Sequence, residues 1–158
     1  MIPVAAVAAW IALVAPGVPK ANRTRYAADI AATAPTVMIG KAMVATAVAE
    51  SDFRDAIERC ECKEKECDPD AKGVPLAVGI YQLHRYYHFG HTVEEICGSN
   101  RLSSELVARA LSGLVARVGG DVEEALRVYV GTSVRRTDRR VKRRLDALEQ
   151  LMGDHPDA

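Results

Sequence analysis

The stretch from Val37 to Phe53, VMIGKAMVATAVAESDF, constrains the chain more than any other. Lys41 is its only charge before Glu50. A helix that is apolar all round has no face to offer to water, so it must run through the interior and be covered by other elements. It carries one carboxylate, Glu50, to its C-terminal end, where Ser51 and a polar loop follow. Removing a carboxylate from water raises its pKa. A carboxyl group that keeps its proton near neutral pH can act as a general acid. The alternative is that Glu50 only marks where the helix reaches solvent.

A rod of this kind needs a domain around it, and 158 residues are enough for one with a sizeable core. Hydrophobic residues at 49% and charged residues at 27% place the chain among globular rather than disordered proteins. Abundant Ala and only 5% aromatics favour helix over sheet. The formal net charge is zero, so no overall field recruits nucleic acid or a membrane.

Ile2 to Ala15 is an Ala/Val-rich apolar run broken by Pro16, Gly17 and Pro19. It is short for a membrane span. It has the apolar character of a secretory signal, but no Lys or Arg precedes it, and Val18-Pro19-Lys20-Ala21 fits the small-residue cleavage rule poorly. Two readings stand: a signal or anchor, or a first core helix containing Trp10. Residues 1–21 are therefore set apart from a main domain over 22–152 and a tail over 153–158.

Asn22 to Thr24 offer caps for a helix through Tyr26, Ile30 and Ala31, which Pro35 ends. A charged, cysteine-bearing insertion, Arg54 to Gly73, follows the apolar helix, with turn signals at Asp68-Pro69-Asp70 and Lys72-Gly73. Leu76 to Leu83, LAVGIYQL, reads as a brief strand or extended wall, with Gly79 permitting close approach of another backbone or a ligand. His84, Arg85, Tyr86, Tyr87, His88, Phe89 and His91 form the one dense aromatic and imidazole cluster. It suits sugar stacking or partly buried packing.

Ser103 or Ser104 can cap a helix with Leu106, Ala110, Leu111, Leu114 and Val118 on one face, stopped by Gly119-Gly120. Asp121 and Glu124 match a capping box for a short helix through Leu126 and Tyr129, broken at Gly131, Thr132 and Ser133. The last helix has Val141, Leu145, Leu148 and Met152 at core spacing. Arg135 to Arg144 holds seven basic residues against one acid, Asp138. Such a run is a solvated face, or a surface for an anionic cell wall or nucleic acid.

The cysteines are Cys60, Cys62, Cys67 and Cys97. An even count in a small chain fits two disulfides and an oxidising compartment. Cys60 and Cys62 are too close in sequence to bond each other, so Cys97 pairs with one of the early three. The other reading is a zinc site on these cysteines or a nearby His, although their spacing is not that of a common zinc knuckle.

Taken together, the pieces resemble the lysozyme-like domain of soluble lytic transglycosylases and related phage wall-degrading proteins, over roughly Tyr26 to Leu148. Glu50-Ser51 followed by Phe53 looks like the family's Glu-Ser pair. Gly79-Ile80-Tyr81-Gln82-Leu83 is similar to its Gly-Leu-Met-Gln element. Ala125 to Gly131, ALRVYVG, resembles its Ala-Tyr-Asn-x-Gly stretch, with Val130 standing where the family has Asn. Asn100 or Glu105-Leu106 occupies the place of the family's Asn-Ile element. Secreted relatives often carry disulfides near the insertion.

The resemblance implies a mainly α fold, of the α+β lysozyme-like kind: a helical domain with a short extended or hairpin segment beside an active-site cleft. It implies a peptidoglycan lytic transglycosylase with Glu50 as the single acid/base for the bond between N-acetylmuramic acid and N-acetylglucosamine. Ser51, Gly79, Gln82 and Tyr129 would bind substrate. Ser51 would also hydrogen-bond Glu50 or cap its helix, Gln82 would orient Glu50 or hold a sugar, and Tyr129 would hydrogen-bond Glu50. No metal or cofactor is implied. The partner is the peptidoglycan glycan strand, with no nucleic acid, and with membrane only if the N-terminal segment is an anchor. The location is secreted or periplasmic, or phage-encoded and acting on the wall.

Two-carboxylate hydrolysis needs a second acid at a defined separation. Asp52, Asp55, Asp68 and Asp70 are the nearby acids, and none sits in a motif. A lone acid fits the route that leaves a 1,6-anhydro end. A hydrolytic lysozyme or endolysin of the same fold, a non-catalytic wall-binding module and a zinc-stabilised helical domain are the alternatives.

Overall fold

In the computed structural model, residues 1–61, 77–130 and 139–153 are described. Cys62, Cys67, Asp68, Asp70, the Lys72-Gly73 turn, the break at Gly131 to Ser133 and the basic pair Arg135-Arg136 lie outside them. The described chain is mainly α: α1 (Val4–Val14), α2 (Lys20–Thr33), α3 (Val37–Glu50), α4 (Asp55–Glu58), α5 (Val93–Cys97), α6 (Asn100–Arg117), α7 (Val122–Val130) and α8 (Arg139–Gly153), with a two-stranded hairpin of β1 (Ala77–Val78) and β2 (Leu83–His84).

The apolar stretch is the central rod. Every residue of α3 from Ile39 to Ala49 is buried, and α1, α2, α6, α7 and α8 all pack on it. Pro35 restricts Ala34 to extended backbone and ends α2 there. Thr36 then caps α3, its side chain accepting from Ile39 N–H at 3.2 Å. Even Lys41 is buried, its ammonium 5.7 Å from the centroid of the Trp10 ring. At Gly40 a Cβ would meet Ile2 Cδ1 at 3.1 Å and Trp10 Cζ3 at 3.3 Å. The missing side chain lets α1 lie close against α3.

The N-terminal apolar run is thus packed as a core helix, with Val7, Trp10 and Ile11 buried. No helix among the described residues is long and apolar enough to cross a membrane.

Helix starts differ from the sequence expectation in two places. The first described turn of α2 begins at Lys20, after Pro19, and Asn22 to Thr24 lie inside it. Pro19 supplies the fixed φ that suits a helix entry without any side-chain cap. Helix α6 begins at Asn100, capped by Ser99, whose hydroxyl accepts from Leu102 N–H at 3.1 Å. Ser103 and Ser104 are interior, buried residues rather than caps. At α7, Asp121 caps as its spacing predicts, accepting from Glu124 N–H at 2.9 Å. The Glu124 carboxylate turns instead to Arg127 at 2.9 Å. A complete capping box occurs at Thr92 and Glu95 on α5.

The hairpin pairs Ala77 with His84 and Val78 with Leu83. Its turn needs positive φ at Gly79 (71°) and Gln82 (46°). Cys60, just past α4, bonds Cys97 at the end of α5, with the Cα atoms 5.6 Å apart. Cys97 therefore pairs with one of the three early cysteines. The disulfide also removes both sulfurs from any thiolate zinc set.

On α8 the buried face is Val141, Arg144, Ala147, Leu148 and Leu151. Val141 and Leu148 are buried and Leu145 packs on the core as expected, but Met152 is exposed and Leu151 takes its place. The same face carries an arginine inside.

Candidate functional site

Glu50 is the last residue of α3, and its carboxylate is nearly dry. Its side chain is 8% exposed, and the Arg144 guanidinium from α8 is 2% exposed. Arg144 Nη2 donates to Glu50 Oε1, and Nη1 donates to the Leu126 carbonyl at 3.3 Å. Two buried charges are tolerable only when each meets the other in good geometry and further hydrogen bonds complete the set. The C-terminal end of a helix also carries partial negative charge. Arg144 therefore compensates both Glu50 and the end of α3.

Aromatic rings continue the arrangement. The Arg144 guanidinium lies 5.0 Å from the Tyr129 ring centroid. Tyr129 in turn stacks on Tyr87 with ring centroids 5.3 Å apart and planes at 4°. Carboxylate, guanidinium and two phenol rings form one layered stack, drawn from α3, α8, α7 and the 3-10 turn Arg85–Tyr87. A planar cation on a ring face keeps favourable electrostatics where water is excluded.

Tyr129 does not hydrogen-bond Glu50. Its hydroxyl donates to the Tyr81 carbonyl at 3.1 Å. That carbonyl is part of the buried hairpin turn and needs a donor, while a guanidinium neutralises Glu50 as a phenol could not. Burial pushes the Tyr129 phenol well above its ordinary range, and it does the same to Tyr81, whose hydroxyl meets Ser104 Oγ at 3.0 Å.

Of the other site residues named from the sequence, none is seen bonded to the Glu50 carboxylate among the described residues. Gln82 follows Tyr81, and its Nε2 donates to the Gly79 carbonyl at 3.1 Å. Gly79 faces α6: a Cβ there would sit 2.8 Å from Ser103 Oγ. Its smallness serves helix–hairpin packing. Ser51 is buried and acts as a helix end, donating to the Ala47 carbonyl at 3.1 Å and accepting from Phe53 N–H at 3.1 Å. Asp52 and Phe53 follow with left-handed backbone, φ 53° and 55°. Such conformations in non-glycine residues cost about 1–3 kcal/mol each.

Of the nearby acids, the two among the described residues, Asp52 and Asp55, are occupied. Asp52 pairs with Arg143. Asp55 accepts from Asn22 Nδ2 at 3.0 Å, from the Tyr26 hydroxyl at 2.9 Å and from Arg25 Nη2 at 3.3 Å. Among the described residues no three His, Cys, Asp or Glu side chains stand close enough to hold a metal ion. In the aromatic cluster, His84 stacks on Tyr86 at 4.8 Å, His88 Nε2 meets the Leu83 carbonyl at 3.0 Å, and Arg109 covers Phe89 at 4.2 Å.

Arg144 is the residue that sequence reasoning missed. It lies in the basic run that reads as a solvated face or an anion-binding surface. The available signal was its spacing: 141, 144, 148 and 151 is one helix face, and a guanidinium on it needs partners in the core.

No family model, no curated protein and no solved structure matches this chain.

Proposed function

We propose that this chain is a peptidoglycan lytic transglycosylase, with Glu50 as its single acid/base. In this reading Glu50 leaves its pair with Arg144, takes up a proton, and gives that proton to the glycosidic oxygen as the bond from muramic C1 to that oxygen breaks. The carboxylate then takes the proton of the muramic C6 hydroxyl as O6 bonds to C1, leaving a 1,6-anhydro end without consuming water. A secreted or periplasmic setting, or release by a phage against the wall, accompanies this chemistry.

The observation that carries the reading is the convergence of three distant segments. Glu50 ends α3, Tyr129 comes from α7, and the Tyr129 hydroxyl holds the carbonyl of Tyr81, the neighbour of Gln82 in the hairpin turn. Arg144 joins the first two. The same three segments carry the resemblance in the sequence.

The test is mass analysis of fragments released from purified peptidoglycan. Anhydro ends support the proposal, reducing ends favour a hydrolase, and Glu50→Gln abolishes release of either. One observation favours a second reading, a non-catalytic wall-binding module: Glu50 is held by Arg144, and a substrate oxygen must compete with that pair. Under it, the protein co-sediments with peptidoglycan but releases nothing, and Glu50→Gln changes neither result.

A further inference from the structure

The first turn of α8 carries Arg139, Arg140 and Lys142 and no acid. Arg143 follows, and all four residues are exposed. The exposed acids of the helix, Asp146 and Glu149, come further along it. This order opposes the helix dipole, which favours acids at the N-terminal end and bases at the C-terminal end. The dipole of α8 therefore disfavours the very bases that the helix presents to solvent. A charge order that works against folding points to a use outside the fold.

Arg143 also stands on the wall of a cavity of about 640 Å³. Val14, Pro16, Val18 and Pro19, from the connection of α1 and α2, give that cavity an apolar side. Arg54 lines it as well, with Nε donating to the Ser51 carbonyl at 3.0 Å, which sets the plane of its guanidinium. The acids on the lining are Asp52 and Asp55. Asp55 is turned to Asn22, Tyr26 and Arg25. Asp52 holds Arg143, but through side chains 51% and 44% exposed, and such a pair contributes little and yields to competing ions.

Cations beside an aliphatic hollow match a partner that offers both anionic phosphates and an apolar body. Nucleic acid has the phosphates, but its unpaired bases stack on open aromatic rings. Helix α8 has no aromatic residue, and Phe53, the one ring on the cavity wall among the described residues, is 3% exposed. An anionic bilayer presents lipid phosphates above apolar chains, and about four to eight Lys/Arg clustered on an amphipathic helix are drawn to it. A formal net charge of zero does not oppose this, because charges beyond a Debye length of about 8 Å are screened and only the near face is felt.

We propose that the exposed start of α8 and the adjoining cavity form a docking face for an anionic lipid bilayer. Arg143 and Arg54 take lipid phosphate, and the Val14 to Pro19 side takes the glycerol end of the lipid. The protein adsorbs from one side, since no helix among the described residues is long and apolar enough to cross a membrane. Glu50 is not part of this face, so the inference is independent of the enzymatic reading.

Co-sedimentation of the full-length protein with vesicles tests it. Vesicles of phosphatidylglycerol and phosphatidylcholine in equal parts are compared with phosphatidylcholine alone. Binding should require phosphatidylglycerol. One base near an anionic bilayer is worth about fivefold in affinity, so Arg139→Gln/Lys142→Gln should weaken binding about 25-fold. Circular dichroism of that variant should match the native protein, because both positions are exposed. Arg117→Gln, an exposed base at the end of α6, should bind as the native protein does. No binding to phosphatidylglycerol vesicles, equal binding to phosphatidylcholine alone, or an equal loss in Arg117→Gln overturns the inference. Displacement from the vesicles by a single-stranded oligonucleotide or by inorganic phosphate, at equal phosphate concentration, overturns it too, and makes the face a nucleic-acid or free-phosphate site instead.

Discussion

Two clusters in this molecule use the same three residue types, an acid, an arginine and a tyrosine, to opposite effect. At the end of α3, Glu50 meets Arg144 with side chains 8% and 2% exposed, and the tyrosine hydroxyl is turned away to a backbone carbonyl. Below α4, Glu58 meets Arg25 with side chains 11% and 44% exposed. There the Tyr26 hydroxyl lies 2.9 Å from both Glu58 and Asp55, and Asn22 and a second Arg25 nitrogen complete the set. The second cluster is saturated and half open, as suits a brace between α2 and α4. In the first, Arg144 is the one hydrogen-bond partner of the Glu50 carboxylate among the described residues. Burial with few partners leaves an acid dependent on one contact, and a substrate oxygen would have to compete with that contact.

The sharpest way to break the comparison is Arg144→Met. It leaves Glu50 dry and uncompensated, and one-sided loss of a buried pair costs about 3–5 kcal/mol. Urea unfolding of the single variant should show that loss. The double variant Glu50→Leu/Arg144→Met should recover most of it, because an apolar replacement of the pair leaves no buried charge. A loss under about 1 kcal/mol for the single variant would mean that Glu50 finds water or another partner, and the two clusters would then be alike.

The fold was legible where the pattern was one-sided, and the site was legible only in part. A rod without a polar face had to be central, and Asp121 caps as its spacing predicts. Helices α2 and α6 start about one turn before the polar residues at Asn22 and Ser103, because Pro19 and Ser99 are the residues that open them. Motif resemblance points to Glu50, Tyr129 and Gln82 as candidates. Glu50 and the Tyr129 ring meet Arg144, while Gln82 turns to the Gly79 carbonyl; local composition assigns Arg144 to solvent because six other basic residues surround it. A run of like charges hides the one member that the helical period turns inward. Lys41 shows the same effect from the other direction: an apolar helix absorbs a lone amine by laying it near the Trp10 ring.

The tyrosines sharpen the contrast at smaller amplitude. Tyr26→Phe removes a donor shared by two carboxylates, and hydrogen bonds to charged groups are worth about 1.5–3 kcal/mol. Tyr129→Phe removes one bond to a neutral carbonyl, for about 1 kcal/mol, and keeps the ring beneath Arg144. Equal losses in the two variants would erase the distinction. Both phenols are raised in the folded state, first of all by burial. A group raised in this way contributes stability that is complete below its unfolded pKa of about 10 and is lost as pH rises toward the folded value. Thermal unfolding between pH 9 and 11 should therefore fall in the native protein and fall less in each Phe variant.

Arg25→Ala should have the smallest effect, up to about 1 kcal/mol. Arg25 is a half-open side chain, and Glu58, itself only 11% exposed, is not left without a donor when Arg25 is removed. Glu58 keeps the Tyr26 hydroxyl, and Asp55 keeps Asn22. What remains of the effect is screenable, because an interaction in contact with solvent weakens as the Debye length shrinks to about 3 Å at 1 M salt. Unfolding free energies of native protein and Arg25→Ala should therefore converge in 1 M NaCl, while the deficit of Arg144→Met should persist there. A deficit of Arg25→Ala that survives high salt would place that pair, too, in a site closed to water. The isolation of Glu50 would then no longer be what sets the α3 end apart.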